Sequence, residues 1–132
     1  MKSMKPTQMS EKQAHALGTS LVATPASEMQ SEDSFLKQVM EYAMLRGWRA
    51  VHFRPGMMAS GRWVTPYSGD GRGFPDTVMV RDTRLIFAEL KKDDGEMSPE
   101  QIDWMASLWT VGEPELALWT PSKWIRIQET LR

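Results

Sequence analysis

The stretch Thr77-Val78-Met79-Val80-Arg81-Asp82-Thr83-Arg84-Leu85-Ile86-Phe87-Ala88-Glu89-Leu90-Lys91 decides how the rest of the chain is read. Two β-rich runs flank Asp82-Thr83, a pair short enough to close an antiparallel hairpin. A two-residue turn dictates the register: Arg81 faces Arg84, Val80 faces Leu85, and further down the ladder Asp76 faces Glu89. Directly opposed residues hold their Cβ atoms about 5 Å apart, so two carboxylates there repel unless a cation or a proton lies between them. Glu89 and Lys91 are two apart and project from one strand face, which sets an ammonium beside the carboxylate pair.

Upstream of the hairpin, Phe35, Leu36, Val39, Met40, Ala43 and Met44 recur at helical spacing, with Ser31 as N-cap and Gly47 as the stop. Residues 48–54 alternate as a strand. The segment 55–75, broken by glycines and prolines, reads as a long loop of the kind that often carries function. Downstream, Ser98-Pro99-Glu100-Gln101 opens a second helix with Ile102, Met105, Leu108 and Trp109 on its apolar side and a stop near Gly112. Residues 115–120 form one more strand, and Thr120-Pro121 starts a terminal helix facing inward with Trp124, Ile127 and Leu131. Trp104 and Trp109 are expected, like Trp124, to pack helices against the sheet. The resulting order α-β-β-β-α-β-α describes an α/β fold of the α+β kind, a mixed sheet flanked by helices. Residues 1–30 show no sustained period and are broken by Pro6, Gly18 and Pro25. They read as a flexible N-terminal arm, compatible at most with a short helix over 11–17, and the domain proper spans 31–132.

A chain of 132 residues suits a single domain with one site. No apolar run approaches bilayer length, and the N-terminus lacks a secretory signal. With no cysteine, thiolate metal sites and thiol nucleophiles are excluded, so any metal must bind oxygen or imidazole. The net charge of −1 gives no global basic field. Locally, Arg46, Arg49, Arg54, Arg62 and Arg72 stand against the single acid Asp70, a segment able to track phosphates and equally readable as a solvated loop.

Opposed carboxylates with a lysine on the same face suit phosphodiester hydrolysis. The carboxylates hold Mg²⁺ or Mn²⁺ against the scissile phosphate, and the lysine orients or deprotonates water or stabilises charge. On spacing alone the string also describes an ordinary charged hairpin in which Lys91 pairs with Glu89 or Asp76. The wider pattern adds to it: Gly73-Phe74-Pro75-Asp76, Glu89-Leu90-Lys91 and Ser98-Pro99-Glu100-Gln101-Ile102-Asp103-Trp104, framed by Gly47-Trp48, His52 and Trp119-Thr120-Pro121-Ser122-Lys123-Trp124. Across residues 31–131 this resembles the VRR-NUC family of the PD-(D/E)xK nuclease superfamily.

The resemblance implies a restriction-endonuclease-like αβββαβ core. It also implies metal ligation by Asp76, Glu89 and the Leu90 carbonyl, and assistance to the nucleophile from Lys91. Glu32, with Asp33 as the alternative, matches an outer acidic ligand acting directly or through water, although acids in a first helical turn also suit the macrodipole. Gln101 is expected beside the active site, and Ser98-x-x-Gln101 is also a capping box. His52 is expected near the site, and with Arg54, Arg62 and Arg72 it forms the DNA-contacting set; Trp63 and Tyr67 are candidates for stacking on an unpaired base.

Stand-alone phage-type members of the family are homodimeric Holliday-junction resolvases, whereas multidomain members cut flaps. The expectation is therefore a homodimeric endonuclease acting on branched DNA in a bacterial or phage-infected cytoplasm. A non-catalytic nucleic-acid-binding module of the same fold and a restriction-type enzyme are the alternatives.

Overall fold

The computed structural model describes residues 31–53, 56–57, 59–64 and 67–132; the expected arm over 1–30 lies outside them. At Ser31 extended backbone turns into helix α1 (Glu32–Leu45), and the Ser31 side chain accepts a hydrogen bond from the Ser34 N–H at 3.1 Å. The buried stripe is Phe35, Leu36, Val39, Met40, Tyr42 and Ala43. Met44, assigned to that stripe from its spacing, is 56% exposed. At about 100° per residue it falls roughly 120° from the stripe's centre, whereas Tyr42 falls within about 80°. Gly47, at φ +85°, ends the helix: its N–H reaches the Met44 carbonyl while Trp48 N–H reaches that of Ala43. This double closure requires a left-handed residue, which glycine adopts without a Cβ clash.

Six strands follow: β1 (Arg49–His52), β2 (Gly56–Met57), β3 (Trp63–Val64), β4 (Thr77–Arg81), β5 (Arg84–Leu90) and β6 (Glu115–Trp119). Helix α2 (Pro99–Trp109) connects β5 to β6, and a 3₁₀ turn (Pro121–Lys123) leads into helix α3 (Trp124–Leu131). The main sheet has the order β1-β4-β5-β6, with β5 and β6 parallel and the other pairs antiparallel. The loop expected over 55–75 is not wholly irregular, because β2 and β3 pair within it as a separate two-stranded ribbon. The hairpin register agrees with the sequence reading: Arg81 pairs with Arg84 and Thr77 with Ala88, across a turn in which Asp82 takes φ +54°. Among the described residues the fold is thus a mixed α+β domain with a four-stranded mixed sheet and three α-helices.

The two faces of this sheet differ. Ala50, Thr77, Met79, Ile86, Ala88, Leu90, Ala117 and Trp119 alternate onto the inner face, and most join Phe35, Val39, Ile127 and Leu131 in one hydrophobic core. Buried Trp48 closes it, donating from Nε1 to the Leu131 carbonyl at 2.8 Å beneath the guanidinium groups of Arg81 and Arg84. Arg81 also donates to the Arg46 and Leu131 carbonyls, joining the C-terminal ends of α1 and α3 to the hairpin.

The outer face carries Val51, Val78, Val80, Leu85, Phe87, Leu116 and Leu118, and Val51, Val80 and Leu85 are exposed. Helix α2 has no buried residue. Two residues expected to face the interior lie in solvent, Ile102 at 56% and Trp109 at 51% exposure. The amphipathic pattern is present, but Ile102 and Met105 line an open apolar cavity of ≈ 240 Å³ with Met97, Leu116 and Leu118 instead of a closed core. Trp124 is half-buried edge-on to Tyr42, with ring centroids 5.4 Å apart. No helix among the described residues is long and apolar enough to cross a membrane.

Candidate active site

Asp76 and Glu89 lie one step beyond the last ladder pair, Thr77 with Ala88, so the register sets them opposite each other on the outer face. Three local devices hold this end of the sheet. The Phe53 N–H donates to the Asp76 carbonyl at 2.7 Å, extending the β1–β4 pairing by one residue. Gly73 sits at φ +86° against the first turn of α2, where a Cβ would lie 2.6 Å from the Glu100 carbonyl carbon, so no other residue fits that approach. Phe74 then packs edge-on against Phe53, Phe87 and Trp104 at centroid distances of 5.7, 6.0 and 5.1 Å. Trp104 in turn donates from Nε1 to the Asp70 carbonyl, fastening the preceding loop to α2.

Within this frame Asp76 Oδ2 accepts the Leu90 N–H at 3.0 Å. Glu89 is 1% exposed, and its Oε1 accepts a 2.7 Å hydrogen bond from Gln101 Nε2. Gln101 is fixed by a complete capping box: its Oε1 accepts from Ser98 N–H at 2.8 Å and its own N–H donates to Ser98 Oγ at 3.2 Å. The capping reading of Gln101 is thus observed, and the amide that caps α2 also grips the buried carboxylate of Glu89. The second oxygen, Glu89 Oε2, is buried and meets no N–H or hydroxyl donor, and the neighbouring Asp76 carboxylate can hydrogen-bond to Glu89 only through a shared proton. Burial first, and then the hydrogen bond and charge of Asp76, push the Glu89 carboxyl up to about 9, with Lys91 opposing the shift. Near neutral pH the metal-free pair thus keeps one proton between its two carboxylates.

Lys91 lies just past β5, one residue short of the expected strand end, yet its N–H donates to the Trp119 carbonyl at 3.0 Å and keeps it in register. The following turn passes close to its aliphatic stem at Gly95, where an added Cβ would lie 3.0 Å from Lys91 Cβ. The ammonium is carried on a half-buried side chain.

Asp76, Glu89, Leu90, Lys91 and Gln101 are brought together. Among the described residues no group of three or more Asp, Glu or His side chains is arranged to hold a metal ion, so neither Glu32 nor Asp33 joins the pair as a third ligand. Both are exposed in the first turn of α1, where negative charge complements the helix N-terminus. His52 is exposed and pairs with Thr77, which puts it on the sheet face opposite Asp76. Arg72 is exposed 3.6 Å from Glu100 beside the Gly73 contact, and Arg62 is exposed in the loop before β3. Arg54 lies outside the described residues. Tyr67 is exposed and lies against Gly71, while Trp63 belongs to β3, paired with Met57.

One residue at the site was not singled out from sequence. Phe53 stands opposite Asp76 on the face that carries the carboxylate pair, and the alternation of β1 would have shown it had the β1–β4 register been known. Comparison with family models, curated proteins and solved structures gives no match.

Proposed function

We propose that this chain is a Mg²⁺- or Mn²⁺-dependent DNA endonuclease of the PD-(D/E)xK type. The observation that carries the reading is the opposed pair of Asp76 and Glu89, one carboxylate oxygen buried without a protein donor, beside the half-buried Lys91. An apolar strand end gains nothing from two facing acids. A divalent cation would replace the retained proton, partner Glu89 Oε2 and relieve the repulsion. That no third acid joins the pair among the described residues is compatible with this, because Mg²⁺ keeps several waters and uses one or two carboxylates plus phosphate oxygens. Asp76, Glu89 and the Leu90 carbonyl would hold the ion, and when bound it supplies charge stabilisation at the phosphoryl oxygens and a more acidic water.

The residues of the chain divide the remaining work. Leu90 N–H fixes one oxygen of Asp76, and Gln101 fixes one oxygen of Glu89, so each carboxylate presents its other oxygen. Lys91 sits on the same face as Glu89, positioned to orient or deprotonate the attacking water and to offset charge on the phosphate. Arg62 and Arg72 supply exposed positive charge toward the flanking backbone.

The order of elements, with α2 crossing between β5 and β6, supports a restriction-endonuclease-like core and the VRR-NUC resemblance. On that resemblance the substrate is branched DNA, with a four-way junction first. The working form would then be a homodimer in a bacterial or phage-infected cytoplasm, its two sites making paired cuts. The test is metal-dependent cleavage of four-way junctions, flaps, splayed arms, duplex and single strands, alongside the mass in solution. Wild type should cut junctions as a dimer, and Asp76→Ala and Lys91→Ala should not cut. A monomer cutting flaps alone would remove the resolvase assignment, and wild-type silence with both metals on every substrate would leave a binding module.

A further inference from the structure

We infer that Phe53 is a stacking platform for an unpaired nucleobase next to the scissile phosphate, which would make the site selective for unpaired or branched DNA. The inference rests on the nuclease reading of the carboxylate pair. Phe53, Asp76 and Glu89 form a transverse row on one sheet face, set by the β1–β4 and β4–β5 registers and by the 2.7 Å hydrogen bond from Phe53 N–H to the Asp76 carbonyl. Register partners stand about 5 Å apart at Cβ, so a phosphate held at the carboxylates leaves the base of the same or the next nucleotide within reach of the ring.

The ring is set up for that contact. It is 41% exposed, although it lies beside buried groups at the rim of the site. Its orientation is fixed from behind by Phe74, with centroids 5.7 Å apart at 80°, and Phe74 is itself wedged against Phe87 and Trp104. A ring that merely filled the sheet surface would gain by burial, whereas one held in orientation and left in solvent presents a rigid π surface at little entropic cost. A base inside a duplex already has both faces covered and must leave the stack to meet Phe53; an unpaired base has no such cost. Discrimination between paired and unpaired strands then needs no base-specific hydrogen bond.

The test uses oligonucleotides carrying 2-aminopurine in a single strand, at the branch point of a four-way junction, or inside a fully paired duplex. They are bound in Ca²⁺, with cleavage in Mg²⁺ and in Mn²⁺ followed in parallel. Wild type should quench the unpaired and branch-point probes. Phe53→Leu should bind those two roughly tenfold more weakly and lose the quench, and Phe53→Trp should keep both. Duplex binding should change less than about twofold in either variant. The inference is overturned if Phe53→Leu binds and quenches like wild type, or if its loss is equally large on paired duplex. Phe53-dependent quenching without wild-type cleavage in either Mg²⁺ or Mn²⁺ would uphold the platform and remove the nuclease reading, so the two fail separately.

Discussion

The two faces of the sheet come from the same strands and the same alternation, yet they have opposite physical characters. On the inner face, Met79, Ile86 and Ala88 are fully buried under α1 and α3, and Thr77 Oγ1 donates to the Ala88 carbonyl, while Trp124 Nε1, Gln128 Nε2 and Arg132 Nη1 on and after α3 are buried without a hydrogen-bond partner. On the outer face the same strands carry exposed Val51, Val80 and Leu85, then Asp76 and Glu89 with a buried oxygen that meets no N–H or hydroxyl donor. The unpartnered atoms on and after α3 are N–H donors short of a hydrogen bond. Glu89 Oε2 belongs instead to a buried carboxylate opposed by a second carboxylate, an arrangement that stability alone does not explain and that marks the face on which function is to be sought.

The largest expected effect separates the faces by activity. Asp76→Ala should lower metal-dependent cleavage by about a thousandfold, equal to about 4 kcal/mol in the barrier. Its thermal unfolding midpoint should stay close to wild type, because the lost Leu90 hydrogen bond is offset by relief of Glu89. Ile86→Ala on the inner face should do the reverse. Urea titration should register a loss of about 2–5 kcal/mol, while the activity of the folded fraction is retained. If Ile86→Ala cost activity at full folding, or Asp76→Ala unfolded the chain, the division between the faces would break.

The next effect is a pH dependence confined to the outer face. In the metal-free protein Glu89 holds its proton up to about 9, whereas the unfolded chain releases it near 4.5. Between those values the folded state binds the additional proton, so stability falls as pH rises. Metal must displace that proton, so its apparent affinity should rise with pH up to about 9, approaching tenfold per unit. Glu89→Gln keeps an oxygen for Gln101 and removes the titration. Its metal-free stability profile should be flat where that of wild type slopes, as followed by denaturant midpoints from pH 5 to 9, and a sloping profile in the variant would assign the slope to other groups.

The two faces also differ in how far the sequence disclosed them. The hairpin was legible because a two-residue turn admits one register, and opposed carboxylates followed by counting. The α1 stripe and the Ser98–Gln101 box were legible because their determinants lie within a few residues of one another. Phe53 was not, because β1 joins β4 through a connection of more than twenty residues in which no turn fixes the register. The β2–β3 ribbon was missed for a related reason: two residues on each side are too short to show alternation. Glu32 differs again, since a first-turn acid satisfies a local rule whether or not it reaches a metal directly or through water.

Helix α2 carries the smallest expected effect and tests the outer face most sharply. Its apolar positions follow helical periodicity, but periodicity reports which side is apolar and not whether anything covers it. Ile102 is the clearest case, being 56% exposed in the middle of that side. Serine has nearly the helix propensity of isoleucine, so Ile102→Ser isolates burial from backbone preference. An exposed site should change unfolding free energy by less than about 0.5 kcal/mol, at both low and high protein concentration. A loss of several kcal/mol that grows with concentration would mean that a second copy covers α2 in solution. The outer face would then be half interface and half active site, and its exposed aliphatic residues would belong to assembly rather than to the free surface of one chain.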